Sequence, residues 1–550
     1  MTTSAEQTAF PALTPAQIDA LRPYGAVETT DADRVLFAEG DRGFDFFLVL
    51  EGTVEIIEHS AGAAQRVALH RPGEFTGDVD MLTGRASLVT AVVREPGRVL
   101  RLSAERLQTI VAERPELSDL ILQAFLMRRA LLLEEGFTGL QIVGSRYSRD
   151  THRLREFAAR NHLPFTWLDL ERDAGAEALL NRFGLNPSET PIVIARGRDV
   201  LRNPSNATLA RCMGLESGAT PDTTYDLIVV GAGPAGLAAA VYGASEGLST
   251  LALEAVATGG QAGHSSKIEN YLGFPAGLSG AELANRAMIQ ARKFGARLMV
   301  PKEAAGLRQD RGYHVVALGD GEEAVGRAVI VATGARYRKL PLERLEAFEG
   351  AGVYYAATPM EAQLCRNEDV VVVGGGNSAG QAAMFLSEHA RRVYVLIRGD
   401  DLGQSMSRYL VDRIEQAPNV EVLYHTEVAR LLGNGHLEGV VAECRQTGTN
   451  RVIETSGLFV FIGAVPHTEW LEGALALDRR GFVLTGRELP RRLLQSERWR
   501  RIGRTPFALE TSRPGVFAAG DVRAASTKRM ASAVGEGSMA VKLVHQHLGA

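Results

Sequence analysis

The stretch Asp226-Leu-Ile-Val-Val-Gly-Ala-Gly-Pro-Ala-Gly-Leu-Ala-Ala-Ala240 is an apolar run interrupted by Gly231, Gly233 and Gly236 and continued by small helix-forming residues. It reads as a buried parallel strand, a tight turn and the N-terminus of a helix. Such a turn suits a pyrophosphate, because uncapped amides and the positive end of the helix dipole converge on the anion while glycine lets the backbone approach. Thr250-Leu-Ala-Leu-Glu254 is the next strand, and it ends on an acid placed to hydrogen-bond a ribose. A GxGxxG alone is an ordinary Gly-rich turn. With a strand before it, a helix after it and the acid at the next strand's end, it predicts dinucleotide binding.

At 550 residues the chain is too long for one core, and at roughly 100–200 residues per domain it should hold three or four. Its 45% hydrophobic and 23% charged residues are those of a globular protein, and a net charge of −5 argues against nucleic acid or an anionic membrane as partner. No apolar run reaches the roughly 18–20 residues of a spanning helix. Met1-Thr-Thr-Ser-Ala-Glu6 lacks a basic segment followed by an apolar one, so a cytoplasmic location is expected. Cys212, Cys365 and Cys444 stand isolated, which leaves no CxxC, zinc cluster or disulfide framework.

Residues 1–135 alternate strand-like runs (34–40, 46–57, 66–70, 89–93 and 98–102) with turns, Gly40 and Gly52 falling between runs as an antiparallel β-roll requires. Ser103 reads as the N-cap of a helix to Arg114, and a second helix runs from Glu116 to about Glu135. With Pro72-Gly-Glu-Phe-Thr-Gly-Asp-Val-Asp-Met-Leu82 as its phosphate cassette, the segment resembles the cyclic-nucleotide-binding domain. The resemblance implies a cyclic nucleotide held by Gly77, Asp78, Arg85 and Ser87. The family's Gly-Glu pair here is Gly77-Asp78, one methylene shorter, and the hydroxyl after the arginine is displaced by one residue, in Arg85-Ala86-Ser87. No helix-turn-helix follows, which makes DNA binding improbable.

Residues 136–215 read as a small α/β unit with strands at 140–144, 165–170 and 191–195 and helices at 152–160 and 174–183. It resembles a thioredoxin or glutaredoxin fold, with Thr190-Pro191 where that fold has its cis-proline. The loop that carries CxxC in redox members reads Ser145-Arg-Tyr-Ser148, and serine cannot cycle to a disulfide. A structural or docking role is expected.

A linker spans 216–224. Residues 225–550 resemble the low-molecular-weight thioredoxin reductases along their length, through Gly259-Gly-Gln-Ala262, Ile268-Glu-Asn-Tyr-Leu-Gly-Phe-Pro275, Ala332-Thr-Gly334, Gly515-Val-Phe-Ala-Ala-Gly-Asp-Val522 and Lys528-Arg-Met-Ala-Ser-Ala533. The resemblance implies FAD held by Gly231, Gly233, Ala235, Gly236, Glu254, Gly260, Gln261, Asn270, Thr333, Gly334, Gly520, Asp521, Arg529, Met530 and Ala531. A second fingerprint, Gly374-Gly-Gly-Asn-Ser-Ala379, follows the strand Asp369-Val-Val-Val-Val373. It implies a second dinucleotide at Gly374, Gly376, Asn377, Ser378 and Ala379. Arg398, with Arg408 as a possible aid, tips the cofactor to NADPH, NADH remaining open. The layout is then an FAD domain in two parts, 225–340 and 467–550, around an NAD(P) domain, 341–466. The fold class is a multidomain chain: β-roll with helices, thioredoxin-like α/β domain, and two Rossmann-like α/β domains.

That family carries a dithiol just before the second fingerprint, and here Ala356 and Pro359 take the two cysteine positions and Met360 the acid's. Neither alanine nor proline can act as a nucleophile. Cys365, expected inside a helix, reads as a small buried hydrophobe. Three readings follow: a flavin-dependent NAD(P)H oxidoreductase with an unidentified acceptor, such as a protein redox partner; a sensor or scaffold governed by FAD, NAD(P)H and a cyclic nucleotide; and a thioredoxin-disulfide reductase with a substitute thiol. Family members are homodimers, and a homodimer is expected.

Overall fold

The computed structural model describes residues 4–60, 63–134, 140–215 and 223–549, so most of the predicted linker, residues 216–222, lies outside the described residues. Helices α1 (Ser4–Ala9) and α2 (Pro15–Leu21) lead into strands β1 (Ala26–Thr30), β2 (Val35–Phe37), β3 (Phe46–Ser60), β4 (Ala63–His70) and β5 (Thr90–Leu102), with α3 (Val79–Thr83) between the last two. The strands pair antiparallel in the order β1-β5-β3-β4, with β2 also on β5, which is the expected β-roll. The runs 89–93 and 98–102 are one strand, β5. Gly52 marks no turn between strands; it lies inside β3 at φ +82°, where the register against β5 slips. Its left-handed backbone makes a bulge there. Helices α4 (Ala104–Glu113), capped by Ser103, and α5 (Pro115–Glu134) close the roll with Leu107, Ile110, Ile121 and Phe125 buried.

Next come β6 (Leu140–Gly144), α6 (Arg149–Arg160), β7 (Thr166–Asp169), α7 (Ala174–Arg182), β8 (Ile192–Ala195), β9 (Asp199–Arg202) and α8 (Asn206–Cys212). The sheet order is β7-β6-β8-β9, β6 and β7 parallel and the rest antiparallel, and the Thr190–Pro191 bond is cis. Leu154 and Phe157 of α6 and Leu209 of α8 cover one sheet face, Ala176 and Leu180 of α7 the other. The polar, short β9 and α8 carry no strong periodic signal, and the sequence reading passes over them.

The third unit holds β10 (Thr224–Val230), α9 (Pro234–Ser245), β11 (Thr250–Leu253), α10 (Gly280–Lys293), β12 (Arg297–Met299), β13 (Ala304–Asp310), β14 (Tyr313–Leu318) and β15 (Glu323–Val331). Its sheet runs β12-β11-β10-β15-β14-β13, and the strand Val516–Ala518 returns from the C-terminal segment to lie parallel beside β15. Five parallel strands form a separate inserted sheet, in the spatial order Val353–Tyr354, Gly457–Val460, Asp369–Val373, Arg392–Leu396 and Val420–Leu423. Helices α11 (Leu345–Phe348), α12 (Pro359–Leu364) and α13 (Asn377–Ser387) belong to this insertion. The β-roll and the third unit share one apolar cluster, from Phe46, Phe75 and Phe125 to Met288, Leu227 and Phe517.

Close backbone approach sets one testable constraint. A Cβ on Gly280, at the start of α10, would stand 1.7 Å from the carbonyl oxygen of Ala262, while one on Gly175 in α7 meets nothing within 4 Å. Gly280→Ala should cost roughly 1–3 kcal/mol in urea unfolding. Gly175→Ala should be neutral or stabilising by up to about 1 kcal/mol.

Candidate functional site

The glycine turn after β10 divides its labour. A Cβ on Gly231, at φ +102°, would lie 2.3 Å from the Ala332 carbonyl oxygen, and one on Gly236 would lie 1.8 Å from that of Gly231. These two glycines let strand, helix and the neighbouring strand end pack together. Gly233 is different: the nearest protein atom to its missing Cβ is Gly260 Cα at 3.8 Å. Gly233 is the N-cap of α9, and no side chain bonds the helix's first amides. Those amides and the dipole end are therefore available to an anion.

Beside this turn lies an open cavity of about 610 Å³. Of the residues expected to hold FAD, Gly231, Gly233, Ala235, Glu254, Gly260, Gln261, Asn270, Thr333, Gly334, Gly520, Asp521, Arg529 and Met530 line it. Two do not. Gly236 is buried in the packing of α9, and Ala531 is exposed on the far side of the helix Met530–Leu548. Ala533 lines the cavity in its place, because residues three apart, Met530 and Ala533, share a helix face.

Several wall residues also brace the backbone. The Glu254 carboxylate accepts from the amides of Ala232 (2.8 Å) and Val256 (3.1 Å), and Thr333 Oγ1 donates to the His467 carbonyl (2.8 Å). The amide of Gly520 donates to Glu536 (2.8 Å), itself paired with Arg523 at 2.6 Å. Burial raises the Asp521 carboxyl above its ordinary range against the pull of Lys528. Arg160, Arg336, Lys339, Lys528 and Arg529 face the cavity against the carboxylates of Glu254 and Asp521. A concave wall with a Cβ-free floor, free helix amides and surplus cations fits a bulky dinucleotide diphosphate such as FAD.

The second fingerprint reaches the same cavity. Asn377 and Ser378 line it, with Gln381 of α13. Gly374 carries φ +141°, and a Cβ there would meet the Phe461 carbonyl at 2.4 Å; Gly376 is an N-cap with nothing within 4 Å. Ala379 is buried beneath the turn, and Asn377 Oδ1 accepts from the Ser407 amide (2.6 Å). Arg398 stands outside the cavity with its side chain 80% exposed, its Nε 3.8 Å from Glu427. Arg408 is tied to Asp412 on its own helix.

The predicted dithiol positions carry no thiol. Ala356 is half-buried, and Pro359 opens α12 behind a capping box formed by Thr358 and Glu361. Tyr355, next to Ala356, lines the cavity, and its hydroxyl donates to Glu349 at 2.8 Å. Cys365 is not within a helix: it is the C-cap of α12, buried against Gly457, and burial pushes its thiol up to about 12.

In the β-roll, Gly77, Asp78 and Ser87 line a cavity of about 110 Å³ together with Phe10, Phe37, His70 and Arg128. Arg85 is not on that wall. Its Nη1 donates to the Asn161 carbonyl (3.0 Å), across the junction with the second unit. Arg128 holds the rim, donating to the carbonyls of Ala9, Phe75 and Gly77. Sequence reasoning missed Arg128, Arg160, Lys339 and Tyr355: they come from segments outside every motif, and only the tertiary packing brings them to these walls.

Residues 225–537 match the pyridine nucleotide-disulphide oxidoreductase family, and residues 27–114 match the cyclic nucleotide-binding domain. The "34.2 kDa protein in rubredoxin operon" of Clostridium pasteurianum is 31% identical over 332 residues, 59% of this chain and 97% of that protein. The thioredoxin reductase of Streptomyces clavuligerus is 33% identical over 326 residues, 59% and 94% of the two chains. The crystal structure of T. acidophilum thioredoxin reductase superposes with a TM-score of 0.53 at 29% identity, covering 60% of this chain and 99% of that one. With a two-part sheet holding one dinucleotide turn and an inserted sheet holding the other, this chain belongs to the pyridine nucleotide-disulphide oxidoreductase family, with a cyclic nucleotide-binding domain at its N-terminal side.

Proposed function

We propose that the protein is an FAD-dependent NAD(P)H oxidoreductase of the thioredoxin reductase type that passes electrons onward without a thiol relay. One observation carries the reading: the start of α9, the turn Gly520–Asp521 and the start of α13 all line one cavity. Bound there, FAD would supply the redox chemistry, accepting hydride from NAD(P)H and passing the electrons to an acceptor. Gly233 and the amides of α9 hold its pyrophosphate, Glu254 a ribose, and Met530 and Ala533 lie on the wall fed by the C-terminal helix. Gly374, Gly376 and Ala379 shape the second turn, while Asn377 and Ser378 bring the nicotinamide nucleotide to the cavity. Arg398, exposed beyond the strand Arg392–Leu396, favours NADPH over NADH.

The thiol inventory supports electron exit by another route. Cys365 is buried and strongly protonated at neutral pH, and Cys212 and Cys444 are isolated from it in the sequence. The unit 136–215 is proposed to be a thioredoxin-like domain without redox cysteines, on the sheet order β7-β6-β8-β9 and the Ser145–Ser148 loop. The domain limits 1–135, 225–340, 341–466 and 467–550 are our division of the rest. The proposed assembly is a cytoplasmic homodimer, as the resemblance to the thioredoxin reductases implies.

A second reading, regulation by a cyclic nucleotide, draws on the β-roll cavity with Gly77, Asp78 and Ser87 on its wall. It requires Arg85 to leave Asn161 and turn to the phosphate. Calorimetric titration with cAMP and cGMP tests it: a parent protein that binds neither removes it, and an Arg85→Ala variant that binds as well as the parent removes Arg85 from the site.

Gly233→Ala should leave thermal stability within about 0.5 kcal/mol, since its Cβ meets nothing closer than the Gly260 Cα at 3.8 Å, yet strip the purified protein of visible flavin absorption. Under anaerobic mixing, NADPH should bleach the flavin faster than NADH, and Arg398→Ala should raise the NADPH requirement about tenfold with little effect on NADH. Equal use of both nucleotides by the parent protein would refute the choice of NADPH. Cys365 should resist iodoacetamide until the protein unfolds, and Cys365→Ser should keep full NADPH-driven turnover in an acceptor screen. Turnover of thioredoxin with an aryl disulfide that disappears in Cys365→Ser would reverse the ranking in favour of a substitute-thiol reductase.

A further inference from the structure

Helix α6 touches both nucleotide-binding parts of the chain with one side. His152, Glu156 and Arg160, four residues apart, form a stripe along it. Toward the cavity loop, Glu156 pairs with His264 at 3.0 Å, Arg160 Nη2 donates to the Gly260 carbonyl at 3.3 Å, and Asn161 just beyond donates to the Val256 carbonyl at 3.1 Å. His264, Gly260 and Val256 all line the large cavity, as does Arg160 itself.

Toward the inserted sheet, His152 Nε2 lies 3.2 Å from the Oε1 of Glu361, a carboxylate 2% exposed that also closes the capping box of α12. The His152 ring rests 5.6 Å from that of Tyr354. Gly350 packs so closely that a Cβ there would stand 3.3 Å from Arg149 Cα and 3.4 Å from His152 Cβ. One turn earlier, Arg149 approaches Glu349 at 3.7 Å, the same carboxylate that holds Tyr355 and Lys339 at the cavity wall, and the rings of Tyr147 and His436 lie tilted against each other, 4.3 Å between centroids. This helix comes from the unit that precedes the two nucleotide-binding parts in the chain.

We propose that α6 is a clamp in cis: its His152–Glu156–Arg160 stripe fastens the segment 349–361, which enters the inserted sheet, to the cavity loop 256–264, and so positions Asn377 and Ser378 at the cavity. His152 and Glu156 are positioning residues, acting on the hydride step through the placement of the inserted sheet and not through contact with either nucleotide. The inference rests on the cavity being the FAD site, but the contacts it invokes exist without FAD.

The test uses the full chain. In His152→Ala/Glu156→Ala, amide hydrogen exchange should rise about tenfold in both 256–264 and 349–361, with or without added FAD, while β3 and β5 keep their protection. In the flavin-loaded protein, the rate of flavin reduction by NADPH should fall about tenfold with the NADPH dissociation constant within about twofold, since the Gly374–Ala379 turn is untouched. His152→Gln, which keeps a donor for Glu361, should retain the parent values. Arg149→Ala alone, at the exposed end of the stripe beside Glu349, should raise exchange in 349–361 and leave 256–264 unchanged, which holds the test open even where the double variant folds poorly. Unchanged exchange in the two segments overturns the clamp, whatever the flavin does. Raised exchange with an unchanged reduction rate also overturns it, because the contact then positions nothing the reaction uses. A protein that carries no flavin yet shows the exchange pattern would fault the FAD reading and leave the clamp standing.

Discussion

The structure depends on a close approach that only glycine permits: the carbonyl of Gly231 lies where a Cβ on Gly236 would be, and the carbonyl of Ala332 where one on Gly231 would be. This contact draws the start of α9 down onto the ends of β10 and β15, so that the helix amides emerge at the carboxyl ends of parallel strands. The position is where open parallel sheets collect ligands. The return strand Val516–Ala518 beside β15 then delivers Gly520 and Asp521 to the same rim, some 290 residues after the turn they complete. The insertion between them carries a second turn of the same build on a sheet of its own, its five strands pairing in one parallel ladder separate from the first sheet.

Much of this was legible because its signals are local. Glycines with a strand before and a helix after announce a turn whatever surrounds it, and thirteen of the fifteen residues expected to hold FAD line the cavity. The two exceptions are instructive. Gly236 packs within the turn, and Ala531 lies off the cavity wall while Ala533, one helical turn from Met530, lies on it. The same limit explains Gly52, a bulge mistaken for a turn: a glycine reports a left-handed backbone but not whether the chain reverses there. What no motif could supply was contact between units. Arg160, Lys339 and Tyr355 are ordinary residues in ordinary segments, and Arg85, placed by its motif at a phosphate, instead bonds the Asn161 carbonyl of the next unit.

The segment 349–361 is held by its own polar contacts. Pro359 and the Thr358–Glu361 capping box make a well-formed helix start, and Glu361 is buried deeply enough to need the partner that His152 provides. Tyr355 points its hydroxyl to Glu349, which also takes Lys339. The segment is thus saturated with internal polar contacts, and a nucleophile added to it would have to displace them. Deprotonating Cys365, packed against Gly457, would place a poorly solvated charge in the core.

The β-roll is coupled to the cavity by packing of the same kind. Its cassette helix α3 follows directly on Gly77 and Asp78 and lies against α10, whose first residue, Gly280, abuts the Ala262 carbonyl in the cavity wall. Asp80 of α3 is buried with Arg129 of α5 at 2.6 Å, and Lys293 at the end of α10 donates to Ser118 of α5 at 2.9 Å. A buried pair of this kind is costly to break because removing either partner strands the other's charge. The Asp80–Arg129 pair thus fixes α3 on α5 within the roll, while the Lys293–Ser118 bond and the packing of α3 on α10 set the roll against a helix whose other end lies on the cavity wall.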